Sequence, residues 1–167
     1  SLLRKGLDLL QNVDMSKIDP DTIYSSDTLK IRLLADQNLT GINLKYEHEI
    51  VFEGVKLLIL TVHTPGDISL YKGTEIDRLH IIGHPTVSLY DSKVGNFFYR
   101  LVPGKEIDNG NLYGENYRIG IMTITGNGYI NGIDAAKCDH LIIDPDKGKG
   151  STLNVSFDEV KTLWRVK

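Results

Sequence analysis

The residues of this chain whose types invite chemistry are five histidines, one cysteine and a lysine–glycine loop. His80 and His84 have the H-x-x-x-H spacing that, on a helix, turns two imidazoles to one face for zinc. Ile81, Ile82 and Gly83 lie between them and Pro85 follows, which argues against a helix. On an extended segment the two rings stand roughly 10 Å or more apart, so no metal site is expected. Cys138-Asp139-His140 lacks the second cysteine pair that would make it specific. His48 falls on the apolar parity of its segment and reads as a hydrogen-bonded core histidine.

The run Asp146-Lys147-Gly148-Lys149-Gly150-Ser151-Thr152 invites a phosphate-loop reading. A Walker loop needs G-x-x-x-x-G-K-[ST] leading into a helix, whose free N–H groups cradle the phosphates. Here Ile143 stands where the first glycine belongs, Gly150 follows Lys149, and the next segment has strand character. A looser anion site built from two lysines and backbone donors stays open, beside the plainer reading of a solvated hairpin loop. Carboxylate pairs such as Asp77 with Asp91 are cheap in a chain with 22 acids. Phe97, Phe98, Tyr99, Tyr113, Tyr117 and Tyr129 offer a sugar-stacking surface, but consecutive aromatics on a strand face opposite ways, so some belong to the core. Ser25 and Ser26 sit in no G-x-S-x-G context.

The elements that must position these groups are strands. Ile42, Leu44, Tyr46, His48, Ile50 and Phe52 share one parity, with Asn43, Lys45, Glu47 and Glu49 on the other. Val55 to Val62 is nearly unbroken apolar sequence, expected to be covered on both faces. Val87 and Leu89, then Tyr117, Ile119 and Ile121, then Leu153, Val155 and Phe157 repeat the alternation, and Val160, Thr162, Trp164 and Val166 close the chain. Pro65-Gly66, Lys72-Gly73, Pro103-Gly104, Asn109-Gly110, Asn127-Gly128 and Asn131-Gly132 punctuate the runs. Asn-Gly accepts positive φ cheaply and favours hairpin turns. The expected fold is therefore mainly β, an antiparallel sandwich, roll or barrel. The stretch from Leu79 to Asp91 has β-helix flavour, but no constant period accompanies it. Leu2, Leu3, Leu7, Leu10 and Val13 follow helix spacing, giving a helical lead and hinge over 1–27 before a single β domain over 28–167.

A chain of 167 residues suits one domain with an adequate core. Nineteen basic against 22 acidic residues leave a net charge of −3 with no basic stripe, so no nucleic-acid partner is expected. The longest apolar runs are too short to span a bilayer, and Arg4, Lys5 and Asp8 break any signal-peptide pattern. Cys138 has no internal disulfide partner.

Three features together carry a resemblance: the start on Ser1, the short helical lead, and a compact β domain ending on strand-like sequence from Val160 to Val166. This arrangement resembles the autocleaved C-terminal assembly domains of phage tail spikes, nearest to the neck-appendage spike of small Bacillus podophages. Ser26-Asp27-Thr28-Leu29-Lys30 loosely echoes the Ser-Asp…Leu-Lys signature of other phage intramolecular chaperones. The resemblance implies a homotrimer that registers the upstream part of the same polypeptide in the host cytoplasm and then cuts itself free. The only enzymology implied is a single-turnover cut at the N-terminal boundary, with Ser1 as the spent nucleophile. It also implies ATP, with Lys147, Gly148, Lys149, Gly150, Ser151 and Thr152 as the phosphate-binding loop. The alternative is a carbohydrate- or receptor-binding β-sandwich module of a virion or cell-surface protein.

Overall fold

Short β-branched and aromatic runs separated by glycine, proline and asparagine make strands, and the way these strands pair decides the architecture. The computed structural model describes residues 28–31, 38–43, 49–64, 66–104, 109–146 and 152–157. Eleven strands follow in chain order: β1 (Thr28–Ile31), β2 (Asn38–Asn43), β3 (Glu49–Glu53), β4 (Lys56–Thr64), β5 (Asp67–Tyr71), β6 (Glu75–Gly83), β7 (Thr86–Leu101), β8 (Gly110–Gly126), β9 (Gly128–Ile133), β10 (Cys138–Pro145) and β11 (Leu153–Phe157). A single 3-10 turn, Ala135–Lys137, separates β9 from β10. The helical lead and hinge assigned to 1–27 lie outside the described residues.

The mainly β expectation holds, but the antiparallel sandwich, roll or barrel does not. Every strand pairing among the described residues is parallel. The strands fall on two lines. One runs β1, β3, β5, β7, β8, β9, β11; the other runs β2, β4, β6, β7, β8, β10. β7 and β8 belong to both lines because each is long enough to bend through the corner, with positive φ at Asp91 (48°) and Asn116 (54°). The chain therefore winds as a parallel β-solenoid, returning to the same line once per coil. The glycine punctuation serves this winding instead of hairpins. Asn127-Gly128 links β8 to β9, Lys72-Gly73 makes the corner between β5 and β6, and Asn131-Gly132 lies inside β9.

Identical positions of successive coils stack into interior columns. Ile50, Ile68, Val87 and Leu112 form one; Leu60, Leu79, Phe97, Met122 and Leu141 form another. A third contains Leu57, Ile76, Val94, Ile119 and Cys138. Apart from Leu141, which is half-buried, these side chains are all buried. Each such large apolar side chain contributes about 1.5–3 kcal/mol of transfer free energy. Leu57 and Leu60 are three apart yet both inward, and Ile76/Leu79, Val94/Phe97 and Ile119/Met122 repeat the step. A bend between them flips the strand's parity, so Ile121 points outward although Tyr117 and Ile119 are buried. Val55 to Val62 is likewise covered on one face only, with Leu58 exposed.

Phe97 is fully buried, whereas its neighbour Phe98 lies on the outer face of the coil. Phe97→Ala is expected to lose about 3–5 kcal/mol in urea denaturation, the usual cost of a large core truncation. Phe98→Ala should lose clearly less, and equal losses would contradict the stacked interior.

Candidate functional site

One position just after the corner recurs in every coil from β4 onward. Lys56, Glu75, Lys93 and Arg118 each precede an inward residue, then two outward positions, then inward residues two apart, and Lys137 precedes buried Cys138 and, after two exposed positions, half-buried Leu141. Registers pair Lys56 with Glu75, Glu75 with Lys93 and Lys93 with Arg118; Lys137 follows, since Cys138 pairs with Ile119. The result is a column of charged side chains at the inter-strand spacing of about 4.8 Å. Alongside runs a second column, Gly54, Lys72, Asp91 and Asn116, with φ of 63°, 56°, 48° and 54°. Left-handed backbone at each of these residues turns the chain through the corner, and asparagine and aspartate tolerate it better than most side chains.

Between these columns lies a groove of about 520 Å³, running from Gly73 and Glu75 in the β5–β6 coil to Asp134 and Lys137 in the β9–β10 coil. Its ionisable lining is balanced between Glu75, Asp91 and Asp134 and the cations Lys93, Arg118 and Lys137. Asn116 Nδ2 donates to Asp91 Oδ1 at 2.6 Å. Arg118 donates to the Ala136 carbonyl at 3.0 Å and forms an ion pair with Asp139. Lys137 Nζ lies 5.7 Å from the centre of the Tyr117 ring. Asp134 is buried and caps the 3-10 turn by accepting from Ala136 N–H at 3.0 Å. Below the groove, Thr74 Oγ1 donates to the Tyr71 carbonyl at 2.8 Å and accepts from Val55 N–H at 3.2 Å. One coil on, Ser92 takes the equivalent place and its buried hydroxyl has no partner.

A second trough of about 280 Å³ shares Glu75, Lys93 and Arg118 with the first and continues it sideways. Gly95 and Gly120 form its floor. A Cβ on Gly95 would stand 2.6 Å from the Asp77 carbonyl oxygen, and one on Gly120 would stand 2.5 Å from that of Gly95. Glycine is required here so that successive coils can close on one another.

The other groups singled out in the sequence are scattered. His80 lies on β6 with its ring 5.7 Å from Phe98, while His84 Nδ1 lies 3.0 Å from the Val102 carbonyl. Among the described residues no three His, Cys, Asp or Glu side chains are grouped to hold a metal. The Cys138 thiol points inward toward the Asp134 carbonyl, Asp139 pairs with Arg118, and His140 is exposed. Phe97, Tyr99 and Tyr117 are buried, and Tyr113 and Tyr129 are exposed, so the six aromatics form no common platform. Ser1, His48, Lys147, Gly148, Lys149, Gly150 and Ser151 lie outside the described residues. Thr152 is described: its N–H donates to Asn127 Oδ1 and its carbonyl accepts from Gly128, tying it to the preceding coil. Of the groove residues, only Gly73, Asp91 and Tyr117 figure in the sequence analysis, each in another context. The signal that would have found the rest is the repeated charged–apolar–x–x–apolar–x–apolar string.

The chain matches no family model, no curated protein and no solved structure. Among the described residues no helix is long and apolar enough to cross a membrane.

Burial first, then the charges of His63 and Arg100, hold the His80 imidazole below its ordinary value of 6.5. As pH falls, the unfolded chain takes up this proton before the folded one does. The contribution is therefore fully present above the unfolded value and is lost as pH drops through 6.5 toward the folded value. His80→Gln should flatten the decline in thermal midpoint between about pH 7 and about pH 5. An unchanged slope would remove His80 as its source.

Proposed function

We propose that this chain is a carbohydrate-binding module built on a β-solenoid, its site the corner groove between Asp91/Asn116 and Lys93/Arg118. The observation that carries this reading is the composition of the groove. Three carboxylates, three cations and an amide line one continuous surface with no excess of either sign. Such a surface offers acceptors and donors in alternation, which suits a ligand that presents both, as sugar hydroxyls do. A nucleic acid would call for an excess of cations, and an apolar ligand for a less charged lining.

The assembly-domain reading depends on Ser1 and on the loop over 147–152, and the groove adds nothing to it. It keeps a separate test. A chain extended upstream of Ser1 should cut itself on expression, and an intact trimer would end that reading.

For the carbohydrate reading, the chain is titrated by calorimetry against neutral linear polysaccharides: a β-glucan, an α-glucan, a mannan and a galactan. At least one should bind, and Lys93→Met or Asp91→Asn should weaken it about tenfold or more, the usual loss for a hydrogen bond to a charged group. Both substitutions sit on the surface, and Asp91→Asn preserves a residue type that tolerates positive φ. Binding to none of the four, or binding indifferent to both substitutions, would refute the assignment.

A further inference from the structure

The groove is made by repetition, and that bears on the shape of its ligand. We infer that the ligand is a linear, uncharged oligosaccharide lying along the solenoid axis and read by several internal sugar units, not by a terminal one. This inference rests on the carbohydrate reading above and deepens it.

The geometry argues for it in three steps. First, the lining residues come from equivalent positions of four successive coils: Glu75, Lys93, Arg118 and Lys137 on one side, and Asp91 and Asn116 on the other. Four coils span about 14 Å along the axis at about 4.8 Å per step. That step is close to the length of one pyranose unit, so a chain parallel to the axis meets one charged side chain of the groove per coil, joined in the two middle coils by Asp91 or Asn116. Second, the surface continues beyond the main groove. The trough floored by Gly95 and Gly120 shares three residues with it, and these glycines let successive coils close on one another into a shallow backbone floor beside the groove. Third, the buried hydroxyl of Ser92 has no protein partner at the middle of the groove, although its counterpart Thr74 is fully bonded. A buried polar group left unpaired is costly, and turning this hydroxyl toward a ligand or a ligand-held water at mid-groove would remove that cost.

The balance of charge sets the chemical class. The acidic and basic side chains of the groove are equal in number, and Arg118 already has Asp139 and the Ala136 carbonyl. A uronic-acid or sulfated chain would meet Glu75 and Asp91 at repulsive distance in successive coils.

The test uses partial hydrolysates of the same four polysaccharides, sized from one to six units, titrated against the whole chain. Affinity should rise by about tenfold or more from one unit to four and then level off, as the span of about 14 Å is filled. Reducing-end nitroxide labelling of the tetramer should broaden amides most at one end of the groove, in the β5–β6 or β9–β10 coil, and progressively less toward the other. Equal affinity for the monomer and the hexamer, or broadening confined to the middle coils, overturns the axial arrangement and leaves the carbohydrate reading standing. Failure of every polysaccharide to bind removes both. A polyuronate is titrated beside them, and tighter binding of it than of all neutral chains overturns the uncharged class alone.

Discussion

The parallel, in-register hydrogen bonding of each coil to the next is the constraint on which everything else in this protein depends. It fixes which side chains stand above one another. Because the register runs Leu57–Ile76–Val94–Ile119–Cys138 without a slip, the interior is a set of apolar columns, and each coil's packing rests on its neighbours. The same register turns a charged residue that occurs once per coil into a continuous line on the outer surface. A one-residue slip would exchange the two faces, placing Lys93 inside and Val94 in water.

Corners are where the cost of this winding concentrates. A strand cannot turn without either left-handed backbone or a side chain that replaces lost hydrogen bonds. The chain uses both. Gly54, Lys72, Asp91 and Asn116 take positive φ, and Thr74 bonds across two coils. In the β9–β10 coil the 3-10 turn capped by Asp134 replaces the left-handed residue. Polar side chains gather at these places because the backbone there needs partners, and the groove is a by-product of that need. Its donors and acceptors are held by rigid strands on both sides, which keeps them pre-positioned for a ligand. Elsewhere the outer surface has its own ladders: Asn131 donates to Asn111, Asn111 to Thr86, and the Thr86 N–H to Asp67, one coil after another.

The buried residues used by the fold and those offered to a ligand are separated by a single position along the chain. Tyr99 illustrates the first kind. Its hydroxyl donates to the Pro85 carbonyl at 2.6 Å, and burial, with the charge of Asp67, pushes its ionisation well above the usual tyrosine range. It is a fixed strut between coils. Arg100, next to it on the outer face, instead holds Asp146 through two 2.9 Å hydrogen bonds and stays more firmly protonated for it. Alternation of this kind lets the solenoid change its surface chemistry without disturbing its core.

Strand content, the inward parity of Ile50, Phe52, Val87 and Leu89, and the turn glycines were legible from residue types alone, because they follow from local sterics and two-residue periodicity. Parallel pairing was not legible. Pro-Gly and Asn-Gly serve a coil-to-coil turn as readily as a hairpin, so the punctuation pointed the wrong way. The repeat was also masked: the inward column Leu57, Ile76, Val94, Ile119, Cys138 advances by 19, 18, 25 and 19 residues, since turns of different length join its coils. The bend after each charged residue shifts parity, which hid the recurring string from a search for simple alternation. The groove was least legible of all. Glu75, Lys93, Arg118 and Lys137 are unremarkable where they stand in the chain. They become neighbours only when backbone hydrogen bonds between successive coils bring them to within one strand spacing, a long-range event that no local pattern encodes. Residue type thus determined strands and core, and pairing register alone decided the solenoid and its groove.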